Sequence, residues 1–200
     1  MRDITCISVD MTTHCDRRCA DCCADIGQRP AIHHDWSYFE RLAPFTQGID
    51  RVNLTGGEPT IHPQFADFVP RFRKLFGCNR LTLSTDGCKV EQHREVITQH
   101  IDEVHASRYD SWNNPKIDAL LNWHPNVLIF DGEFTPRAHR GSGKPCARGF
   151  SEAVAHADGR LFPCCVGPGI PGAASTEPCE GWQQKIQDVP LPCSDCWFSE

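Results

Sequence analysis

The chain has 200 residues, is 40% hydrophobic and 23% charged, and carries a formal charge of −6 from 20 Lys+Arg against 26 Asp+Glu. That composition suits a folded core and excludes long disorder; the acidic balance argues against a groove built for nucleic-acid phosphate. No apolar run approaches the ~20 residues of a membrane helix, and Met1-Arg2-Asp3-Ile4 opens no signal segment, so the expected setting is the cytoplasm, with neither a nucleic-acid nor a membrane partner.

In chain order, Ile4–Val9 reads as a strand and runs into a cysteine-dense loop. Asp35 is placed to cap a helix bearing Trp36, Phe39 and Leu42 on one face. Arg51–Thr55 reads as a second strand ending in Gly56-Gly57. Pro63 suits the first turn of a helix whose apolar residues recur at Phe65, Phe68, Val69, Phe72, Leu75 and Phe76, and Pro70 inside it predicts a kink or break. Arg80–Thr85 reads as a third strand closed by Asp86-Gly87. A helix near Val90–His100, a strand near Glu103–Ser107, a short helix after Asn114-Pro115 and a strand at Asn126–Phe130 follow.

Such alternation implies parallel strands joined by right-handed crossovers. A closed eight-stranded barrel needs ~250 residues. The expected fold class is therefore α/β, a partial (βα) TIM-like barrel of about five to six parallel strands with a small cysteine-rich C-terminal appendage. The strands alternate where fully covered parallel strands would be continuously apolar. Asn53, Thr55, Thr82, Ser84, His105 and Ser107 share the face opposite Leu and Val, which implies either a ligand-filled cleft or an open sheet with one wet face. After Asp131 the chain becomes rich in Gly, Pro and Arg, Ala153–Pro163 reads as a hairpin turning at Asp158-Gly159, and a boundary is expected near 135–145, dividing 1–140 from 141–200.

Thirteen cysteines cannot all pair within the chain, and in a reducing compartment metal ligation explains them better than disulfides. Cys15-Asp-Arg-Arg-Cys19-Ala-Asp-Cys22 puts three thiolates within eight residues. They suit three corners of a cubane iron–sulfur cluster with one iron left open, or a zinc site completed by Cys23 or His14. Cys6 and Cys78 are expected only to pack.

The order Cys-x3-Cys-x2-Cys after the first strand, Leu54-Thr-Gly-Gly-Glu-Pro59 after the second, Ser84-Thr-Asp-Gly87 after the third and Ser107-Arg-Tyr109 after the fourth resembles the radical S-adenosylmethionine superfamily over residues 4–131. The resemblance implies that Cys15, Cys19 and Cys22 ligate a 4Fe–4S cluster whose fourth iron binds the amino and carboxylate groups of S-adenosylmethionine. It also implies that Gly56, Gly57 and Glu58 receive the methionine amino group, and that Ser84, Asp86, Ser107 and Arg108 contact ribose and carboxylate. Asp21 stands where the superfamily usually has an apolar residue against adenine, and Asp86 where it often has Asn. Cys23 is expected to pack. Reduction by a flavodoxin or ferredoxin-type donor would then cleave the sulfonium to a 5′-deoxyadenosyl radical that removes hydrogen from an unactivated carbon.

Cys146, Cys164, Cys193 and Cys196 resemble the SPASM or "twitch" appendage of some superfamily members, which implies a second, auxiliary 4Fe–4S cluster ligated wholly by protein; a structural zinc also fits four thiolates, and Cys165 could replace Cys164. The implied reaction is oxidation or dehydrogenation, or epimerisation with Cys165, Cys179 or Cys88 as hydrogen donor. His105 and Asn53, with Tyr109, Asp131 or Glu133, are the expected substrate contacts. A strand beginning at once after the N-terminus leaves no room for a peptide-leader domain and favours a small polar metabolite, such as a sugar or nucleoside, over a ribosomal peptide. The reading of another class is a non-catalytic zinc or iron–sulfur protein.

Overall fold

A computed structural model describes residues 4–19, 22, 26, 30–108, 113–131, 152–155, 159–162, 176–180 and 182–187. Seven strands, β1 (Cys6–Thr12), β2 (Arg51–Gly56), β3 (Arg80–Thr85), β4 (Glu103–Arg108), β5 (Val127–Asp131), β6 (Glu152–Ala155) and β7 (Leu161–Phe162), form one sheet in the order β5-β4-β3-β2-β1-β6-β7. The first six are parallel and β7 runs antiparallel to β6. The helices are α1 (Trp36–Leu42), α2 (Phe65–Phe76), α3 (Arg94–His100), α4 (Asn114–Leu121) and α5 (Trp182–Gln187). The sheet does not close, so the fold is the open, partial barrel that the strand–helix alternation predicts.

Alternation sorts the two faces. Ile7, Val9, Val52, Leu54, Leu81, Leu83, Val104, Ala106, Ala153 and Ala155 join the core beneath the helices. The α2 stripe of Phe65, Phe68, Val69, Phe72 and Phe76 supplies much of its bulk. The Phe72 ring stacks on Trp36 and Phe76 and meets Phe39 edge-on at 4.8 Å. On the opposite face Ser8, Asn53 and Thr82 fall in one row of the register, and Ser84 stands beside His105. Asn53 Nδ2 donates to Ser8 Oγ at 3.2 Å and Ser84 Oγ at 3.0 Å. Its Oδ1 accepts from Thr82 Oγ1 at 3.0 Å and Ser84 Oγ at 3.1 Å. The polar row is thus a satisfied hydrogen-bond ladder rather than a set of open valences.

Several boundaries differ from the sequence expectation. β1 begins at Cys6 and runs through Asp10 and Thr12 (3% and 0% exposed) because a bulge lets Thr12 pair with Gly56. Pro63 lies outside α2, whose cap is Gln64; Pro59 instead opens a short 3-10 turn, Pro59–Ile61. α2 continues unbroken through Pro70, which is exposed, as is Ala66, whose carbonyl loses its helical donor there. α3 starts only at Arg94, because a turn over 89–93 precedes it, closed by His93 N–H donating to Lys89 O. Asp35 caps α1 as expected, accepting from Tyr38 N–H. The hairpin is present as β6–β7, with Gly159 at φ 84°, and it extends the main sheet beside β1. No helix among the described residues is long and apolar enough to cross a membrane.

Phe72 is fully buried among four aromatic rings. Phe72→Ala is expected to cost ~3–5 kcal/mol in urea unfolding; a loss below ~1 kcal/mol would contradict this packing.

Candidate functional site

The strand starts are fastened by ion pairs, Arg73 with Asp102 at 2.6 Å and Arg80 with Asp50 at 2.9 Å. The strand ends carry the loops where parallel α/β folds place their chemistry. There the loop after β1 bears Cys15, Cys19 and Cys22, all half-buried. Two backbone bonds hold its root against the end of β2: Gly57 N–H donates to Thr12 O at 2.7 Å, and Glu58 N–H donates to His14 O at 2.9 Å. The glycines are required by that contact. A Cβ on Gly56 would sit 2.2 Å from Thr12 O, and one on Gly57 would sit 2.2 Å from His14 O.

Glu58 is 1% exposed and joins two strand ends. Its Oε1 accepts from Thr60 N–H, Thr60 Oγ1 and Thr85 Oγ1, and its Oε2 accepts from Asp86 N–H at 2.7 Å. The carboxylate expected to meet an incoming ammonium is therefore already filled by donors of the chain itself. Four donors favour its ionised form against the burial that pushes its pKa up. Asp86, 6% exposed, accepts Cys88 N–H on Oδ1, while its Oδ2 is buried with no hydrogen-bond partner among the described residues. Burial first, then the charges of Glu58 and Asp16, push Asp86 up to about 9.

Cys15 Sγ accepts Arg17 N–H at 3.4 Å. Burial, joined by the charges of Asp86, Glu58 and Asp16, pushes the Cys15 thiol up to about 12. Burial also raises Cys19, with Arg17 pulling it down. The close ligand group among the described residues is Cys15, Asp16 and Asp86, within 4.8 Å of one another; the three cysteines are not gathered that tightly. A tetrahedral zinc, with Zn–S of ~2.3 Å, needs its sulfurs ~3.8 Å apart. Three thiols spread along one loop suit a cluster, in which each binds its own iron. His14, the other zinc ligand considered, turns its ring toward His33, with centroids 5.4 Å apart.

The remaining expected residues divide. Ser84 and Asn53 bond each other in the polar ladder. Ser107 gives its carbonyl to Asn113 Nδ2 at 2.7 Å. Arg108, expected at a cofactor carboxylate, pairs with Asp118 of α4, strand alternation turning it to the side of Ala106. His105 is held through Nε2 by Glu103 at 2.6 Å and meets the Phe130 ring edge-on. Cys88 lies beside Asp16, and burial pushes its thiol up to about 12. Cys179 packs against the helix-side core, with Lys185 Nζ donating to its sulfur at 3.2 Å. Cys6 and Cys78 are buried as expected. Cys146, Cys164, Cys165, Cys193 and Cys196, with Asp21, Cys23, Tyr109 and Glu133, lie outside the described residues. Sequence reasoning missed Thr60, Thr85 and Glu103; the Thr-Gly-Gly-Glu-Pro-Thr run and the Glu103-x-His105 spacing were the available signals.

No protein-family model matches the chain. It is 30% identical over 137 residues to a GTP 3′,8-cyclase of Peptoclostridium acidaminophilum, covering 66% of this chain and 42% of that protein. It is 35% identical over 157 residues to the GTP 3′,8-cyclase of Heliobacterium modesticaldum, covering 66% and 48%. The chain thus spans less than half the length of these curated relatives. Its fold is similar to that of BtrN in complex with AdoMet and 2-DOIA, with a TM-score of 0.64 at 15% identity over 94% of this chain and 84% of that one. It is also similar to Streptococcus suis SuiB bound to the precursor peptide SuiA, with a TM-score of 0.52 at 11% identity over 93% and 67%. The fold and site together are those of an α/β protein with an open parallel sheet and a three-cysteine loop at its first strand end. These sequence relatives, with the shared fold, support the radical S-adenosylmethionine superfamily for this chain. Radical S-adenosylmethionine homologues imply a 4Fe–4S cluster and S-adenosylmethionine, and the three half-buried thiols, their spread and the Asp86 oxygen left without a partner among the described residues fit that pair.

Because its folded pKa is raised from 3.8 to about 9, Asp86 binds a proton in the folded state that the unfolded chain has released. Its contribution is most favourable below the ordinary carboxylate range and is lost as pH rises toward about 9. Asp86→Asn should therefore gain stability relative to the parent as pH rises from ~4 to 9 in urea unfolding of reduced, metal-free protein. A difference that does not vary with pH would contradict the assignment.

Proposed function

We propose that Cys15, Cys19 and Cys22 hold the 4Fe–4S cluster and that the chain abstracts hydrogen from a carbon of a small polar metabolite, a sugar, nucleoside or similar molecule. The observation that carries this reading is the loop of three half-buried thiols whose root is pinned to Gly57 and Glu58 at the strand ends. When bound, the reduced cluster and S-adenosylmethionine together supply a carbon-centred radical able to take hydrogen from an unactivated C–H bond.

The chain's own residues position and protect. The Gly56-Gly57 backbone fixes the cysteine loop against β2, and Glu58 locks the Thr85-Asp86 turn over it. Asp86 offers a buried oxygen, without a partner among the described residues, to a ligand group arriving at that turn. On the polar face, Glu103 orients His105 through Nε2 and leaves Nδ1 for a hydroxyl or other polar group of the substrate. Cys88, kept as a thiol at neutral pH, retains the hydrogen that an epimerising outcome requires, and it is beside the cysteine loop, unlike Cys179. For an oxidising outcome, Cys146, Cys164, Cys193 and Cys196 would hold the auxiliary cluster within a unit spanning 141–200. A flavodoxin or ferredoxin-type protein is the proposed electron donor.

A polar sheet face favours a small hydrophilic substrate. The likeness to BtrN, whose complex holds AdoMet and 2-DOIA, supports this, as do relatives named for a reaction of GTP. The likeness to SuiB bound to its precursor peptide keeps peptide maturation as the second reading.

Anaerobic reconstitution followed by iron and sulfide counting tests the assignment. About eight irons per chain are expected with both clusters, and about four with the first alone. Dithionite should then yield 5′-deoxyadenosine, and a Cys15→Ala, Cys19→Ala, Cys22→Ala variant should yield none. A loaded chain that never cleaves S-adenosylmethionine, or one that binds only zinc, would leave the non-catalytic reading standing.

A further inference from the structure

The polar ladder of Ser8, Asn53, Thr82 and Ser84 bonds within itself across β1, β2 and β3. On β4 the same face changes character. His105, the register partner of Ser84, is gripped by Glu103 at 2.6 Å, with side chains 17% and 30% exposed. Against a carboxylate acceptor Nε2 carries the proton, so the neutral ring presents Nδ1 as an acceptor, and no described residue donates to it. On its other side His105 pairs in register with Leu128 of β5, and Ser107 pairs with Phe130. Leu128 and Phe130 are 49% and 54% exposed, two of the four large apolar side chains so exposed among the described residues. Alternation puts both on the face of His105. The Phe130 ring stands at 69° to the imidazole, with centroids 5.7 Å apart. An oriented acceptor thus borders an exposed aromatic ring.

We propose that His105, Phe130 and Leu128 form a specificity subsite for a saturated ring bearing several hydroxyl groups, a sugar or cyclitol rather than a nucleobase. This deepens, and rests on, the reading that the chain acts on a small polar metabolite. A polyhydroxy ring carries hydroxyls at its rim and C–H bonds on its faces. It can therefore donate a hydroxyl hydrogen bond to Nδ1 while laying C–H groups, whose hydrogens are weakly positive, on the negative face of Phe130. A flat base sets several donors and acceptors along one edge. This patch answers with one open acceptor flanked by apolar side chains, which would leave the rest of such an edge unpaired. Glu103 fixes which imidazole nitrogen is offered to the ring.

The test is ligand-detected NMR on the reconstituted full chain with S-adenosylmethionine, titrating myo-inositol and methyl β-glucoside, with guanosine for comparison. Both polyols should bind, with saturation passing from the protein to their ring C–H protons. Phe130→Ala should weaken that binding about tenfold, and His105→Ala about fivefold. Phe130→Tyr keeps an aromatic face and should stay near the parent. Leu121→Ser, at an apolar residue exposed on α4, should leave binding unchanged. Should Phe130→Ala fail to fold, Phe130→Leu decides: weakened binding supports the subsite, and parental binding overturns it. Binding of neither polyol, or guanosine binding more tightly than both through Phe130, also overturns it. A chain that forms 5′-deoxyadenosine but whose polyol binding ignores Phe130 and His105 loses only the subsite. A chain that loads no cluster, with polyol binding still lost in Phe130→Ala, loses the radical chemistry and keeps the subsite.

Discussion

The carboxylate of Glu58 is the contact on which the site depends. It is buried at the end of β2 and takes donors from Thr60, Thr85 and Asp86, so the ends of β2 and β3 cannot move apart without stranding a buried charge. The same turn of chain donates its own N–H groups to Thr12 and His14, which fastens the root of the cysteine loop. Three strand ends are thereby locked by one five-residue run, Gly56 to Thr60. The cysteine loop needs such a footing, because none of its described residues joins the main hydrophobic core.

The parts of the fold set by periodicity were legible in the sequence. β3 was placed residue for residue at Arg80–Thr85, and the α2 stripe was complete, because a two-residue and a 3.6-residue repeat each leave a direct trace. The errors came where tertiary contact overrode local preference. Asp10 and Thr12 look like loop residues but lie in a strand, because the neighbouring strand satisfies their backbone and the bulge admits the extra residue. Pro70 looks like a helix breaker, yet it and Ala66, whose carbonyl it leaves without a helical donor, fall on the exposed face of α2.

The site was legible as motifs and less so as partners. Three cysteines and a Gly-Gly-Glu run can be found by spacing; what each polar atom does with its valences cannot. Arg108 was expected to meet a carboxylate and does, but the carboxylate is Asp118 of α4. Asn53 was expected to face a substrate, and all its hydrogen-bonding groups are engaged by Ser8, Thr82 and Ser84. Asp86, which differs from the residue often found there, ends as the buried oxygen still without a partner among the described residues. Such outcomes depend on cross-strand register, which no stretch of sequence carries alone.

The central claim is that one iron of the cluster on Cys15, Cys19 and Cys22 lacks a protein ligand and is open to S-adenosylmethionine. Electron–nuclear double resonance on the reduced protein, with the methionine amino nitrogen of the cofactor isotopically labelled, tests this most directly. The account predicts a nitrogen coupling large enough to require a direct bond to iron. A loaded, reduced cluster that shows no coupling to that nitrogen would contradict it.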